Sequence, residues 1–165
     1  MPMAYAPGDW ASFALAITAA AATLAGLLFV AVSINLQRIL SFKNLPARAA
    51  QTLILFTTPL ITGLFLVVPG QGPAVVAWEL IITGIAIGGL QLWINVRSPR
   101  WDQETPLTWI VARAFPVASC ACLAVAGGTL LAQAGGGLYW LVPGVLAAFI
   151  VGLVNTWVLL VEILR

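Results

Sequence analysis

The sequence predicts an all-α polytopic integral membrane protein, a compact bundle of about five transmembrane helices with the amino terminus outside and the carboxyl terminus in the cytoplasm. Three observations lead there. Of 165 residues 62% are hydrophobic and 7% charged, with a mean hydropathy of +1.06, whereas a soluble domain carries about 25% charged residues to keep its surface wet. Uncharged runs of the length that crosses a hydrocarbon core, about 20 helical residues, recur along the chain. The basic residues gather at alternate connections between those runs.

The first span is expected over residues 10–39, uncharged to Leu36 and continuing helically past Gln37 and Arg38 until the break Ser41-Phe42-Lys43-Asn44-Leu45-Pro46. Proline ends it by removing an amide and clashing with the preceding turn. The second span, residues 47–68, stops at Pro69-Gly70-Gln71-Gly72-Pro73, whose prolines and glycines make a tight turn. The third covers 74–96. A polar stretch then runs from Arg97 to Pro106, where charge and proline forbid a span. The fourth covers 107–133 with Pro116 inside as a kink, and Gly135-Gly136-Gly137 lets the chain turn back. The fifth covers 139–164. Every connection is too short for a separate fold, so one transmembrane domain spans 1–165.

Cytoplasmic loops retain an excess of lysine and arginine. The first connection and its flanks hold Arg38, Lys43 and Arg48; the third holds Arg97 and Arg100, with Arg113 following; Arg165 is the last residue. The second and fourth connections hold no charge. An odd number of spans places all the basic connections and the carboxyl terminus on one side. The first span lacks the basic residues of a signal peptide and is too long for one, so it is expected to be retained. Six arginines to one lysine, beside abundant alanine and glycine, suggest a GC-rich bacterial genome and hence a bacterial inner membrane.

Small residues at four-residue spacing let helices approach closely in lipid, where no hydrophobic force acts between them. Span one offers Thr18, Ala22 and Gly26, then Ser33 and Gln37; span three offers Gly84 and Gly88, then Gln91 and Asn95; span five offers Gly144, Ala148 and Gly152, then Asn155 and Glu162. In each, the small residues lie toward the outer half and the polar ones toward the inner half. The expectation is a bundle packed tightly outside, with polar side chains converging near the cytoplasmic leaflet. Span two adds Gln51, Thr58 and Thr62 on one face, and Pro59 frees a carbonyl that a threonine or a neighbouring helix could satisfy. The plainer reading of these stripes is packing and interhelical hydrogen bonding alone.

Ionisable groups inside spans are rare and tend to be functional. Glu79 lies six residues past Pro73, about 9 Å along the helix, near the outer interface beside Trp78. Arg113 sits near the inner end of span four, where it can snorkel or pair with Glu162. Each has an anchoring reading and a transport reading.

Histidine is absent, which removes the commonest general base and the commonest transition-metal ligand. Cys120 and Cys122, at i and i+2, point to different helix faces and read as small buried hydrophobes. No metal site or cofactor is expected. Serine and threonine lack a histidine partner, no span holds a pair of carboxylates, and the glycine run lacks the lysine of a phosphate loop. An enzyme is not expected. Seven basic against five acidic residues make no field for nucleic acid.

Two functional classes remain. The first is a homo-oligomeric channel or small transporter, because five helices leave little room for a private pore. Gln37, Gln91, Asn95 and Asn155 would line its inner vestibule, with Arg113 and Glu162 at the rim and Arg38, Arg97 and Arg113 biasing it toward anions. The second is a non-catalytic accessory subunit or modulator that docks on a larger membrane complex through its small-residue faces, with Trp101 in the polar loop as a cytoplasmic contact.

The segment Ala25-Gly26-Leu27-Leu28-Phe29-Val30-Ala31-Val32-Ser33-Ile34-Asn35-Leu36, followed by Leu45-Pro46-Ala47-Arg48-Ala49-Ala50 and Val68-Pro69-Gly70-Gln71, resembles a family of small uncharacterised bacterial multi-spanning membrane proteins. The likeness covers about the first two spans. It implies a helical membrane fold, carries no functional residue over, and some members bear a protease-modulator label.

Overall fold

The computed structural model describes residues 2–42, 45–97 and 106–164, with side chains except at 2, 106–112 and 162–164. Its regular elements are helical: α1 (Ala11–Ile34), α2 (Leu36–Ser41), α3 (Leu45–Val67), α4 (Pro73–Arg97), α5 (Pro106–Leu131) and α6 (Leu141–Leu164), with short 3-10 turns at Pro2–Tyr5, Pro7–Trp10 and Gly137–Trp140. Five helical segments are long and apolar enough to cross a membrane: Pro7–Ile34, Leu45–Val67, Pro73–Arg97, Arg113–Leu131 and Gly137–Val161. The polar loop with Trp101, and Lys43 in the first connection, lie outside the described residues.

Helices α3, α4, α5 and α6 close a ring in which each packs on the next and α6 returns to α3; α1 lies outside it, against α3 and barely touching α6. The α4–α5 seam is the most extensive contact, and glycine explains it. A side chain at Gly84 would place its Cβ 2.8 Å from the Ala124 amide nitrogen and the Cys120 carbonyl oxygen; at Gly127 it would meet Ile81 at 2.7 Å, and at Gly88 the Cys120 Cβ at 3.2 Å. Two helix backbones can approach this closely only where neither carries a side chain between them. Gly144 of α6 sits against Ser119 and Cys122, Gly152 of α6 against the Phe56 ring, and Gly63 of α3 against Ala14 and Thr18 of α1. The two cysteines, both unpaired, do point apart, Cys120 to α4 and Cys122 to α6.

The core divides along the bundle axis. At the end carrying the Pro69–Gly72 turn, here the glycine-turn end, Trp10, Ala14, Leu66, Val76, Ala77, Leu80, Leu123, Ala126, Leu130, Leu138 and Leu141 pack together. At the opposite, arginine end Leu28, Ile39, Leu45, Ala49, Phe56 and Leu159 do so. Chain reversals at the glycine-turn end use positive φ, at Gly70 (75°) and at Gly135 and Gly136 (83° and 105°), backbone that residues with a Cβ adopt at a cost. The residues before α1 fold over this end. Trp10 Nε1 donates to the Met3 carbonyl at 2.8 Å, the Gly136 amide donates to the Tyr5 hydroxyl at 3.3 Å, and the Trp10 ring meets Phe13 and Tyr139 edge-on.

Two local expectations change. The first span does not continue unbroken through Gln37: α1 stops at Ile34, Asn35 takes φ −107° and ψ 17°, and α2 starts afresh with Ile39 N–H donating to Asn35 O at 2.9 Å. The cause is local competition. Asn35 Nδ2 donates at 2.9 Å to the Ala31 carbonyl, the acceptor its own backbone amide would use in a continuous helix. The short α2 then buries Ile39 beside Leu45 and Ala49 and leaves Gln37 and Arg38 exposed. Within α3, the Thr58 and Thr62 hydroxyls donate to the Ile54 and Thr58 carbonyls, rather than to the Leu55 carbonyl that Pro59 leaves without its helical amide.

Candidate functional site

The polar residues of the arginine end form a belt across three helices. Gln51 of α3 is drawn inward because its neighbours Thr52, Leu55 and Phe56 are the buried face of that helix. Its Nε2 donates to Asn95 Oδ1 of α4 at 2.6 Å, and its backbone carbonyl accepts from Gln91 Nε2 at 3.3 Å. Gln91 and Asn95 are one helical turn apart, so both face the same neighbour. Asn95 Nδ2 donates to the Arg113 carbonyl of α5 at 3.0 Å, and Arg113 Nη1 donates back to the Asn95 carbonyl at 2.9 Å.

Burial makes this belt consequential. Gln91 has no exposed surface and Asn95 is 7% exposed. An unmade hydrogen bond in such a place costs about 1–3 kcal/mol. The belt is close to saturated, and Gln91 Oε1 is its one buried side-chain atom without a donor among the described residues. Arg113, half-buried, makes further contacts besides the bond to Asn95.

The candidates named from sequence fall into four groups. Gln91, Asn95 and Arg113 meet, joined by Gln51. Asn155 is buried on α6, one turn past Gly152 and its Phe56 contact. Gln37 does not join them; it stands exposed on α2, on the far side of the Asn35 break. The Glu162 side chain, and with it the pairing to Arg113, lies outside the described residues. The basic groups expected to share a vestibule are likewise dispersed: Arg38 is exposed on α2, and the Arg97 guanidinium lies 4.6 Å from the Trp93 ring centroid, one turn back on its own helix.

The packing candidates divide just as clearly. Gly84, Gly88, Gly144, Ala148 and Gly152 contact neighbouring helices, Ala148 with Leu55 and Val151. Ala22 and Gly26 do not pack within the chain: both are exposed, and a Cβ at Gly26 would meet nothing within 4 Å. The reason is which face α1 uses. Ala14, Ile17, Ala21 and Leu28 are its buried stripe, and the directly opposite face carries the small residues Ser12, Ala16, Ala19, Thr23 and Gly26, then Val30, Ser33 and Ile34, with Leu15 at its edge, every one exposed.

Bulky apolar side chains are exposed on every long helix, on α1 as Leu15, Leu27, Phe29, Val30 and Ile34. On α4 they are Trp78, Ile82, Ile85, Leu92, Trp93 and Val96, and on α6 Leu146, Ile150, Leu153 and Trp157. Tryptophan and tyrosine lie toward the helix ends, at Trp10, Trp78, Trp93, Tyr139, Trp140 and Trp157, the placement that membrane–water interfaces favour.

Sequence reasoning overlooked Gly63 and Gly127, because neither belongs to a small-residue pair at four-residue spacing on its own helix. It also overlooked the Asn95–Arg113 exchange, which runs through backbone carbonyls and leaves no signature in side-chain type. Among the described residues no cluster of three metal-ligating side chains occurs. No protein family, characterised protein or solved structure matches the chain.

Proposed function

We propose that this is a non-catalytic multi-pass membrane subunit that acts by docking another transmembrane helix against the outward face of α1. The observation that carries the reading is the run of small residues Ser12, Ala16, Ala19, Thr23 and Gly26, placed opposite the one side of α1 that packs on α3. Lipid contact alone is served by bulky apolar side chains such as Val30 and Ile34 farther along this face, whereas small residues in register allow close approach of a second helix. The Thr23 and Ser33 hydroxyls bond the Ala19 and Phe29 carbonyls of their own helix, so the stripe can be covered without leaving them unpaired.

The polar belt has a structural part in this reading. It locks α3, α4 and α5 at the arginine end and so gives α1 a rigid support. Membrane orientation follows the positive-inside rule, with Arg38, Arg48, Arg97 and Arg113 at the cytoplasmic end, both glycine-bearing turns outside, and the bacterial inner membrane as the location.

The test is cross-linking in native membranes. A photo-activatable benzoylphenylalanine at Ala19 or Gly26, which inserts into C–H bonds of whatever it touches, should on irradiation give an adduct with a different polypeptide, whereas one at Ile85 on α4 should not. A homodimer adduct together with ion flux in liposomes would instead favour the homo-oligomeric channel. No adduct from either α1 position would remove the docking reading.

A further inference from the structure

We propose that the glycine-turn end binds a monovalent hard cation, held by Gln71, Glu79 and the carbonyl end of α3. The site lies at the opposite end of the bundle from the polar belt and does not depend on α1 docking.

Glu79 sits two turns into α4, where Gln71 in the preceding turn reaches back to it: Gln71 Nε2 donates to Glu79 Oε1 at 3.0 Å. That bond orients both groups, and each then has an oxygen left over. Gln71 Oε1 and Glu79 Oε2 are buried atoms without a hydrogen-bond donor among the described residues. A carboxylate oxygen without a donor in a half-buried place is costly unless a positive charge or a hydrogen compensates it.

Among the described residues the surroundings add negative rather than positive potential. Gln71 lines a cavity of about 180 Å³ together with Pro7, Gly8, Leu66, Val67 and Val76. Leu66 and Val67 are the last residues of α3, whose final carbonyls lack helical amides and carry the negative end of the helix dipole. Of these, Phe65 O takes the Val68 amide at 3.3 Å. Asp9, beside the cavity residue Gly8, adds a second acidic group at this end. The nearest described basic residue along α4 is Arg97, about 27 Å away at 1.5 Å per residue.

Oxygen donors in a negative field, with neither sulfur nor imidazole, select a hard cation. One carboxylate supporting neutral oxygens matches a single positive charge, since divalent sites gather several carboxylates. The cavity beside Gln71 has room for the water such an ion would keep, at about 30 Å³ per water. Unwound backbone and helix carbonyl ends that hold sodium in membrane proteins follow the same electrostatics.

The experiment uses the full chain in detergent, with unfolding followed by tryptophan fluorescence in sodium, potassium or choline chloride at equal ionic strength. Sodium or potassium should raise Tm by about 2–4 °C over choline. Glu79→Gln and Gln71→Leu should abolish that difference while keeping the helical circular-dichroism spectrum. Sodium-NMR line broadening by the wild-type protein, reversed by excess potassium, tests binding without any variant. Equal Tm values in the three salts with no line broadening, a response to calcium alone, or a sodium effect that persists in Glu79→Gln would each overturn the proposal.

Discussion

Asn95 and Arg113 exchange hydrogen bonds across the α4–α5 seam, the Asn95 amide donating to the Arg113 carbonyl at 3.0 Å and the Arg113 guanidinium donating to the Asn95 carbonyl at 2.9 Å. The exchange sits at the arginine end of a seam whose other close contacts are made at Gly84, Gly88 and Gly127. It supplies direction where the glycine contacts supply only proximity. A third helix enters through Gln51, whose amide fills the remaining acceptor of the Asn95 side chain.

The Gln51–Asn95 bond should be measurable as a coupling. Gln51→Ala and Asn95→Ala should each destabilise the protein, and the double variant by less than their sum, with an interaction energy of about 0.6–1.7 kcal/mol, the range for hydrogen bonds between membrane helices. Reversible unfolding in mixed micelles checks it. Strict additivity would mean the belt does not bind α3 to α4.

Glycines on the two kinds of face should respond in opposite ways. Gly84→Ala forces a Cβ against α5 backbone at 2.8 Å, so the helices must separate, at a cost of about 1–3 kcal/mol for overpacking. Gly26→Ala meets nothing within 4 Å and should leave the isolated chain unchanged or up to about 1 kcal/mol more stable through helix propensity. Thermal unfolding of the two variants side by side measures this. If Gly26 is covered by a partner helix, the same substitution should weaken that complex.

The amino-terminal turns should act as a latch on the glycine-turn end. Trp10→Ala removes a ring 9% exposed and its bond to Met3, for a loss of about 3–5 kcal/mol if it behaves as a core aromatic. Tyr5→Phe removes only the acceptor for the Gly136 amide, about 0.5–1.5 kcal/mol. Amide exchange at residues 135–138 should speed up in both variants, more in the first.

Orientation is checked separately. Reporters active only in the cytoplasm or only outside it, fused in turn to the two ends, should report opposite compartments, with the carboxyl end cytoplasmic. Signals from the same compartment would contradict an odd number of crossings.

By itself the sequence determined the helical class, the number of apolar helices and the positions of the turns. Composition and the spacing of proline and glycine act locally, and a chain with this little charge has few ways to satisfy its backbone other than helix. It also placed Gln91, Asn95 and Arg113 toward the same end of the bundle. Which small residues face a neighbour was settled only by tertiary packing. Gly84 and Gly26 belong to equally plausible stripes, yet α4 lies inside a ring of helices while α1 has a partner on one side alone. The exposure of Gln37 and the carbonyl-mediated grip between Asn95 and Arg113 have the same origin, because each depends on which groups come within reach after the helices dock, and spacing along one helix does not encode that; the Asn35 break is instead a local competition for the Ala31 carbonyl.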